Sequence, residues 1–112
     1  MSEHESCHVD PIEKPLEKNA LAQAEAAFLH ISGMGCPNCA IRVRNGLIRL
    51  NGVLYADIYL QSGVATVAYD PQLVTTAELV TAVYESSHDG RHHYRAHTLQ
   101  IMPARDVFTY AT

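Results

Sequence analysis

No stretch of this 112-residue chain approaches the ~20 consecutive apolar residues that a membrane-spanning helix needs. The start, Met1-Ser2-Glu3-His4-Glu5-Ser6, is acidic and carries no basic run followed by an apolar one. A secretory leader is therefore not expected, and the expected compartment is the cytoplasm. Excess positive charge is also missing. Lys and Arg number 8 against 12 Asp and Glu, for a formal net charge of −4, with seven histidines to offset it as pH falls. That balance argues against nucleic acid or an anionic membrane as the main partner. Cysteine is scarce and odd in number, three in all, which suits a reducing compartment better than a disulfide scaffold. No Ser-His-Asp arrangement, phosphate-cradling Gly loop or paired-carboxylate motif is legible, and no enzyme is expected. No internal repeat occurs. What is there is globular in character: 47% hydrophobic and 18% charged, room for one domain with a modest core and a tail.

Two of the three cysteines fall in Gly33-Met34-Gly35-Cys36-Pro37-Asn38-Cys39, between a strand-like and a helix-like run. Two thiols three positions apart can face one ion if the backbone bends sharply between them. Gly33 and Gly35 permit that bend by tolerating positive φ, and Pro37 stiffens it. Cys39 is expected in the first turn of the following helix, where unpaired N–H groups and the helix dipole favour a thiolate. A dithiolate at such a junction suits a soft d¹⁰ ion such as Cu(I). Redox dithiols, zinc half-sites and disulfides share the CxxC spacing, so the spacing alone leaves these open.

The surroundings supply the context. Residues 1–26 read as an amino-terminal extension, flexible or marginally helical: Pro11 and Pro15 interrupt it, and Leu16 to Ala27 is helix-forming with a mostly alanine stripe. Within it His4, Cys7 and His8 are spaced to converge on a metal in one helical turn. Phe28 to Ser32 alternates as a half-buried strand, with Leu29 and Ile31 inward. Val43, Leu47 and Leu50 mark an amphipathic helix over 39–50, whose Gly46 predicts close packing on a sheet. Arg42, Arg44 and Arg49 give that helix a basic patch, either a solvated face or a docking surface for an acidic partner. Val53–Leu60 and a strand carrying Ala65, Val67 and Tyr69 form a hairpin around Gln61-Ser62-Gly63. Thr75 or Thr76 caps a second helix, with Glu78 supplying a partial capping box and Leu79, Ala82 and Val83 buried. Tyr94 to Met102 is a last strand with a slip in its alternation, and His30 and His97 read as surface positions in strands. The order β-α-β-β-α-β, with right-handed crossovers, predicts an α+β fold: a ferredoxin-like βαββαβ sandwich with both helices on one face of a four-stranded antiparallel sheet.

GMGCPNC, placed after a strand and opening a helix, resembles the GMxCxxC signature of heavy-metal-associated domains. That family includes cytosolic copper chaperones, amino-terminal domains of copper-exporting ATPases and bacterial mercury-binding proteins. Asn51-Gly52-Val53, Ala65-Thr66-Val67, Tyr69-Asp70-Pro71 and ELVTAVYESS extend the resemblance over roughly residues 27–102. It implies a metal-binding domain at 27–103, with 104–112 as a tail. It implies that Cys36 and Cys39 are the ligands and that Met34 supports the loop from inside, its sulfur turned from the ion. One departure stands out: family members commonly end the second helix with Gly-Tyr, whereas here Arg91-His92-His93 separates Gly90 from Tyr94. Any of Arg91, His92, His93 and Tyr94 is a candidate to cover the site, with His92 and His93 as possible accessory ligands.

The expected function is a Cu(I) chaperone that hands its ion, by ligand exchange, to a metal-transporting P-type ATPase or another metal-accepting protein. The expected state is a monomer or a metal-linked dimer. The alternatives are a thiol/disulfide redox protein using the same CxxC, or a mercury-, cadmium- or zinc-handling domain of the same fold.

Overall fold

The computed structural model describes residues 10–12, 18–87 and 93–108. A short helix α1 (Lys18–Ala22) leads into β1 (Glu25–Ser32), α2 (Pro37–Ile48), β2 (Val53–Tyr59), β3 (Val64–Tyr69), α3 (Thr76–Glu85) and β4 (Arg95–Pro103), and a 3₁₀ turn (Ala104–Asp106) follows. The four strands form one sheet in the order β2-β3-β1-β4, and every neighbouring pair is antiparallel. This is the ferredoxin-like arrangement that the βαββαβ order predicts.

The main core lies between the sheet and the two long helices. Ala27, Leu29 and Ile31 of β1 meet Val43 and Leu47 of α2 and Leu79 and Val83 of α3 there. The inward side chains of β1 follow the period of two expected of a strand with one buried face. α2 packs on β2, α3 on β4, and the helices touch each other. Thr75 caps α3 with a reciprocal box: its hydroxyl accepts from the Glu78 N–H, and the Glu78 carboxylate accepts from the Thr75 N–H. Gly46 corrects one expectation. A Cβ there would stand 3.2 Å from the Ser86 Cβ and 3.4 Å from the Ala82 carbonyl oxygen, so the glycine lets α2 approach α3 rather than the sheet.

The slip in β4 is present. Phe28 pairs with Gln100 and Leu29 with Thr98, which leaves Leu99 as the extra residue of a bulge. Past the bulge the other face of the sheet is covered too. Leu21, Ala24, Ala26, Ala68 and Ala104 form a second cluster, with Leu54, Tyr55, Val107 and Phe108 packed on it. Tyr55 makes an edge-on ring contact with Phe108 at 5.5 Å. Small side chains at Ala26 and Ala68 let these flanking turns lie close to the strands.

Residues 10–12 lie against α2, held there by side chains. The Asn45 amide donates to the Asp10 carbonyl and accepts from the Ile12 N–H, both at 2.8 Å. Arg44 donates to the Ile12 carbonyl at 2.8 Å and to the Ala56 carbonyl at 3.2 Å. Asn45 is buried, and these bonds satisfy both ends of its amide, as a buried polar group requires. Arg44 therefore ties the extension to β2 and is not a member of a purely solvated basic face.

Candidate metal centre

The loop between β1 and α2 holds the two cysteines. Cys36 is the N-cap of α2, with extended backbone (φ −155°, ψ 164°), and Pro37 occupies the first helical position, where its missing N–H costs nothing. The helix opens immediately, with the Cys39 N–H donating to the Cys36 carbonyl at 2.9 Å. One turn of helix thus brings the side chains of a CxxC to the same side, as the spacing predicts. Their sulfurs lie 3.2 Å apart, far outside the ~2.05 Å of a disulfide, and both thiols are free. Cys36 is partly exposed and Cys39 is buried at 2%, so one sulfur is open to an incoming group while the other is held in the protein.

Three groups act on the held sulfur. Burial pushes the Cys39 thiol up, but the Tyr94 hydroxyl, the Gly35 backbone and Cys36 favour the thiolate, and the pKa falls from 9.0 to about 7. The open N-terminus of α2 acts in the same direction. Near neutral pH the Cys39 thiol is therefore poised to exchange its proton for a cation.

The donor set fits a soft metal. Two metal–sulfur bonds of about 2.3 Å, at angles from tetrahedral to linear, need sulfurs about 3.8–4.6 Å apart. The pair must open by roughly an ångström, and the exposed Cys36 on an N-cap is the partner free to move. Among the described residues no three His, Cys, Asp or Glu side chains converge on one point.

Tyr94 was one of four candidates to cover the loop, and the structure places it. Its side chain is fully buried in the main core, beneath Cys39. Gly33 has φ +98°, and a Cβ on it would stand 2.2 Å from the His93 carbonyl oxygen and 3.4 Å from the Tyr94 Cα. The metal loop therefore lies directly on the 93–94 backbone. Gly35, by contrast, does not use positive φ, and a Cβ there would meet nothing within 4 Å. The His93 side chain is exposed, and Met34 is partly buried against the main core. His4, Cys7, His8, Arg91 and His92 lie outside the described residues. The role of Tyr94 was hard to see in sequence because its signal, an aromatic just after the second helix, is displaced by Arg91-His92-His93.

No helix among the described residues is long and apolar enough to cross a membrane. The copper chaperone CopZ of Staphylococcus aureus is 31% identical over 62 residues, covering 55% of this chain and 91% of CopZ. Copper-transporting ATPase 2 of Rattus norvegicus is 28% identical over 70 residues, 62% of this chain but only 5% of that much longer protein. In structure, the amino-terminal domain of a potential copper-translocating P-type ATPase from Bacillus subtilis, solved in the Cu(I)-loaded state, superposes with a TM-score of 0.62 at 26% identity, over 70% of this chain and 91% of that domain. The heavy-metal-associated domain model matches residues 28–89, from the middle of β1 to just beyond α3. With that match, the GMGCPNC loop and the ferredoxin-like sandwich around it, the chain belongs to the heavy-metal-associated domain family.

Proposed function

We propose that the protein is a Cu(I) chaperone. Cys36 and Cys39 hold the ion as a dithiolate, and a partner domain with a similar pair, such as that of a metal-transporting P-type ATPase in the cytoplasm, receives it. The observation that carries this reading is the sulfur pair itself: 3.2 Å apart, one exposed and one buried, with the buried thiol acidified by Tyr94. Two thiolates and one Cu(I) leave the ion short of donors. A cysteine from a partner can bond to it before an original ligand departs, and transfer proceeds through three-coordinate species without free ion. Cys36 is the natural first leaving group, because it is the more exposed and lacks the buried surroundings of Cys39. The copper proteins that this chain resembles support Cu(I) over Hg(II), Cd(II) or Zn(II) as cargo. Met34 supports the loop from the core side and stays out of the ligand set. The same reading assigns the domain to 27–103, makes residues 1–26 an extension and gives the protein no catalytic step.

The test is an anaerobic Cu(I) titration against a competing chelator. The wild type should take up one ion per dithiolate with high affinity. Cys36→Ser and Cys39→Ser should each lose most of that affinity; stability should change little for the partly exposed Cys36, whereas Cys39→Ser puts a hydroxyl into the core and should cost about 1–3 kcal/mol. Wild-type affinity in both variants would rule out the dithiolate. Weak copper binding together with oxidoreductase activity would favour the thiol-redox reading.

A further inference from the structure

A second pair of metal-ligating side chains lies on the opposite face of the sheet from the helices. His30 of β1 and His97 of β4 are direct cross-strand partners, and their ring centroids stand 5.4 Å apart, tilted by 41°. His30 alternates with the inward-facing Leu29 and Ile31, and His97 follows the core-packed Ala96. Both imidazoles therefore project from the outer face. The second apolar cluster covers that face only around Ala26 and Ala68, leaving His97 exposed and His30 half-buried.

We propose that His30 and His97 form a second metal site, a bis-imidazole clip across β1 and β4 for a borderline divalent cation such as Zn(II) or Cu(II). Three features support it. Two imidazoles bound side by side at metal–nitrogen distances of about 2.0–2.1 Å place their centroids roughly 4.5–5 Å apart, so the observed 5.4 Å closes by small χ rotations with no movement of backbone. The orientation of His30 is favourable too. A Cβ built on Gly63 would lie 3.5 Å from its Nε2 and 3.9 Å from its Cδ2, so that edge of the ring is turned toward the β3 side. The opposite corner of the ring, which carries Nδ1, is turned away from Gly63. Finally, the neighbouring cross-strand pairs are Ser32 with Arg95 and Phe28 with Gln100. They place no carboxylate beside the pair, so hard Ca²⁺ and Mg²⁺ lack the oxygen ligands they need, while the two nitrogen donors suit a borderline ion strongly enough to hold it near the Arg95 charge. Water completes the coordination.

This site does not depend on the dithiolate and selects a different class of ion: nitrogen donors for borderline divalent ions, sulfur donors for Cu(I). The two would fill independently. Closure of one metal over β1 and β4 would also pin the edge strand whose first residues follow Tyr94.

The test uses the full chain with Cys7, Cys36 and Cys39 replaced by serine, titrated with Zn(II) and followed by residue-resolved NMR of the imidazoles. His30 and His97 should respond together with one midpoint. Joining two donors on one scaffold makes the second bond intramolecular, so His97→Ala should weaken the response at His30 on the order of a hundredfold. His97→Asn should do the same while keeping a polar side chain at the position. Should any variant unfold, the same titration of the wild-type chain with its dithiolate loaded with Cu(I) reads the same two signals. Independent midpoints, no response at either ring, or an unchanged His30 response in His97→Ala would overturn the proposal.

Discussion

A single hydroxyl does much to set the chemistry of the metal loop. Tyr94 is buried in the core, and its hydroxyl, with the Gly35 backbone and Cys36, favours the Cys39 thiolate enough to outweigh the burial that would otherwise raise the thiol. Removing only that oxygen is a clean experiment. Tyr94→Phe keeps the ring in the core and should raise the Cys39 pKa from about 7 toward the ordinary 9.0, as read by the ultraviolet absorbance of the thiolate. An unchanged titration would show that the hydroxyl does not act on the sulfur. The sign of the linkage follows from the direction of the shift. A thiol whose folded pKa is depressed contributes stability that is fully present above pH ~9 and is lost as pH falls through about 7. Protons compete with the metal for the same lone pairs, so metal affinity also weakens as pH drops below about 7. Cys39 in the first turn was legible from its spacing after Pro37. Tyr94 beneath it was not, because only the folded chain shows that the 93–94 backbone closes against Gly33.

Among the elements, that loop is where sequence and structure constrain each other most tightly. Gly33 is fixed both by φ +98° and by the His93 carbonyl oxygen, 2.2 Å from where a Cβ would stand. Gly33→Ala should therefore cost about 1–3 kcal/mol in backbone strain alone, with the collision added, and should move Tyr94 relative to Cys39. Gly35→Ala, with open space around its Cβ and no left-handed φ, should be close to neutral. Urea unfolding midpoints check the contrast, and equal midpoints for the two variants would contradict it. Elements with strong periodicity or capping chemistry were readable in advance: α2 from Val43 and Leu47, α3 from Thr75 and Glu78, and β4 with its slip. Contacts between distant residues were not. The clamp of Asn45 and Arg44 on residues 10–12 joins positions more than thirty apart in the chain. The outer cluster around Ala26, Ala68 and Ala104 is built mostly of alanines, whose small apolar signal gives no direction. Likewise the pairing of His30 with His97 follows only once the bulge at Leu99 has fixed the register.

At the scale of the whole molecule, the sandwich separates storage of rigidity from access to the metal. Cys39, Tyr94 and Met34 connect the loop to the main core, while Cys36 sits at its edge on the exposed end of α2. The anchor at residues 10–12 holds the amino-terminal extension on α2, the same helix that opens with the CxxC. On the proposed function such a molecule passes on its ion without unfolding: the outer Cys36 thiolate exchanges first, and the buried Cys39 thiolate lets go last, once the acceptor supplies its second sulfur. Direct exchange and release into solution differ in one kinetic signature. Cu(I)-loaded protein is mixed anaerobically with an apo heavy-metal-associated domain bearing its own CxxC, and the transfer rate is followed as the acceptor concentration rises. Ligand exchange predicts a rate that climbs with acceptor concentration and far exceeds the spontaneous loss of Cu(I) from the donor alone. A rate independent of acceptor concentration and equal to that spontaneous loss would contradict transfer by direct contact.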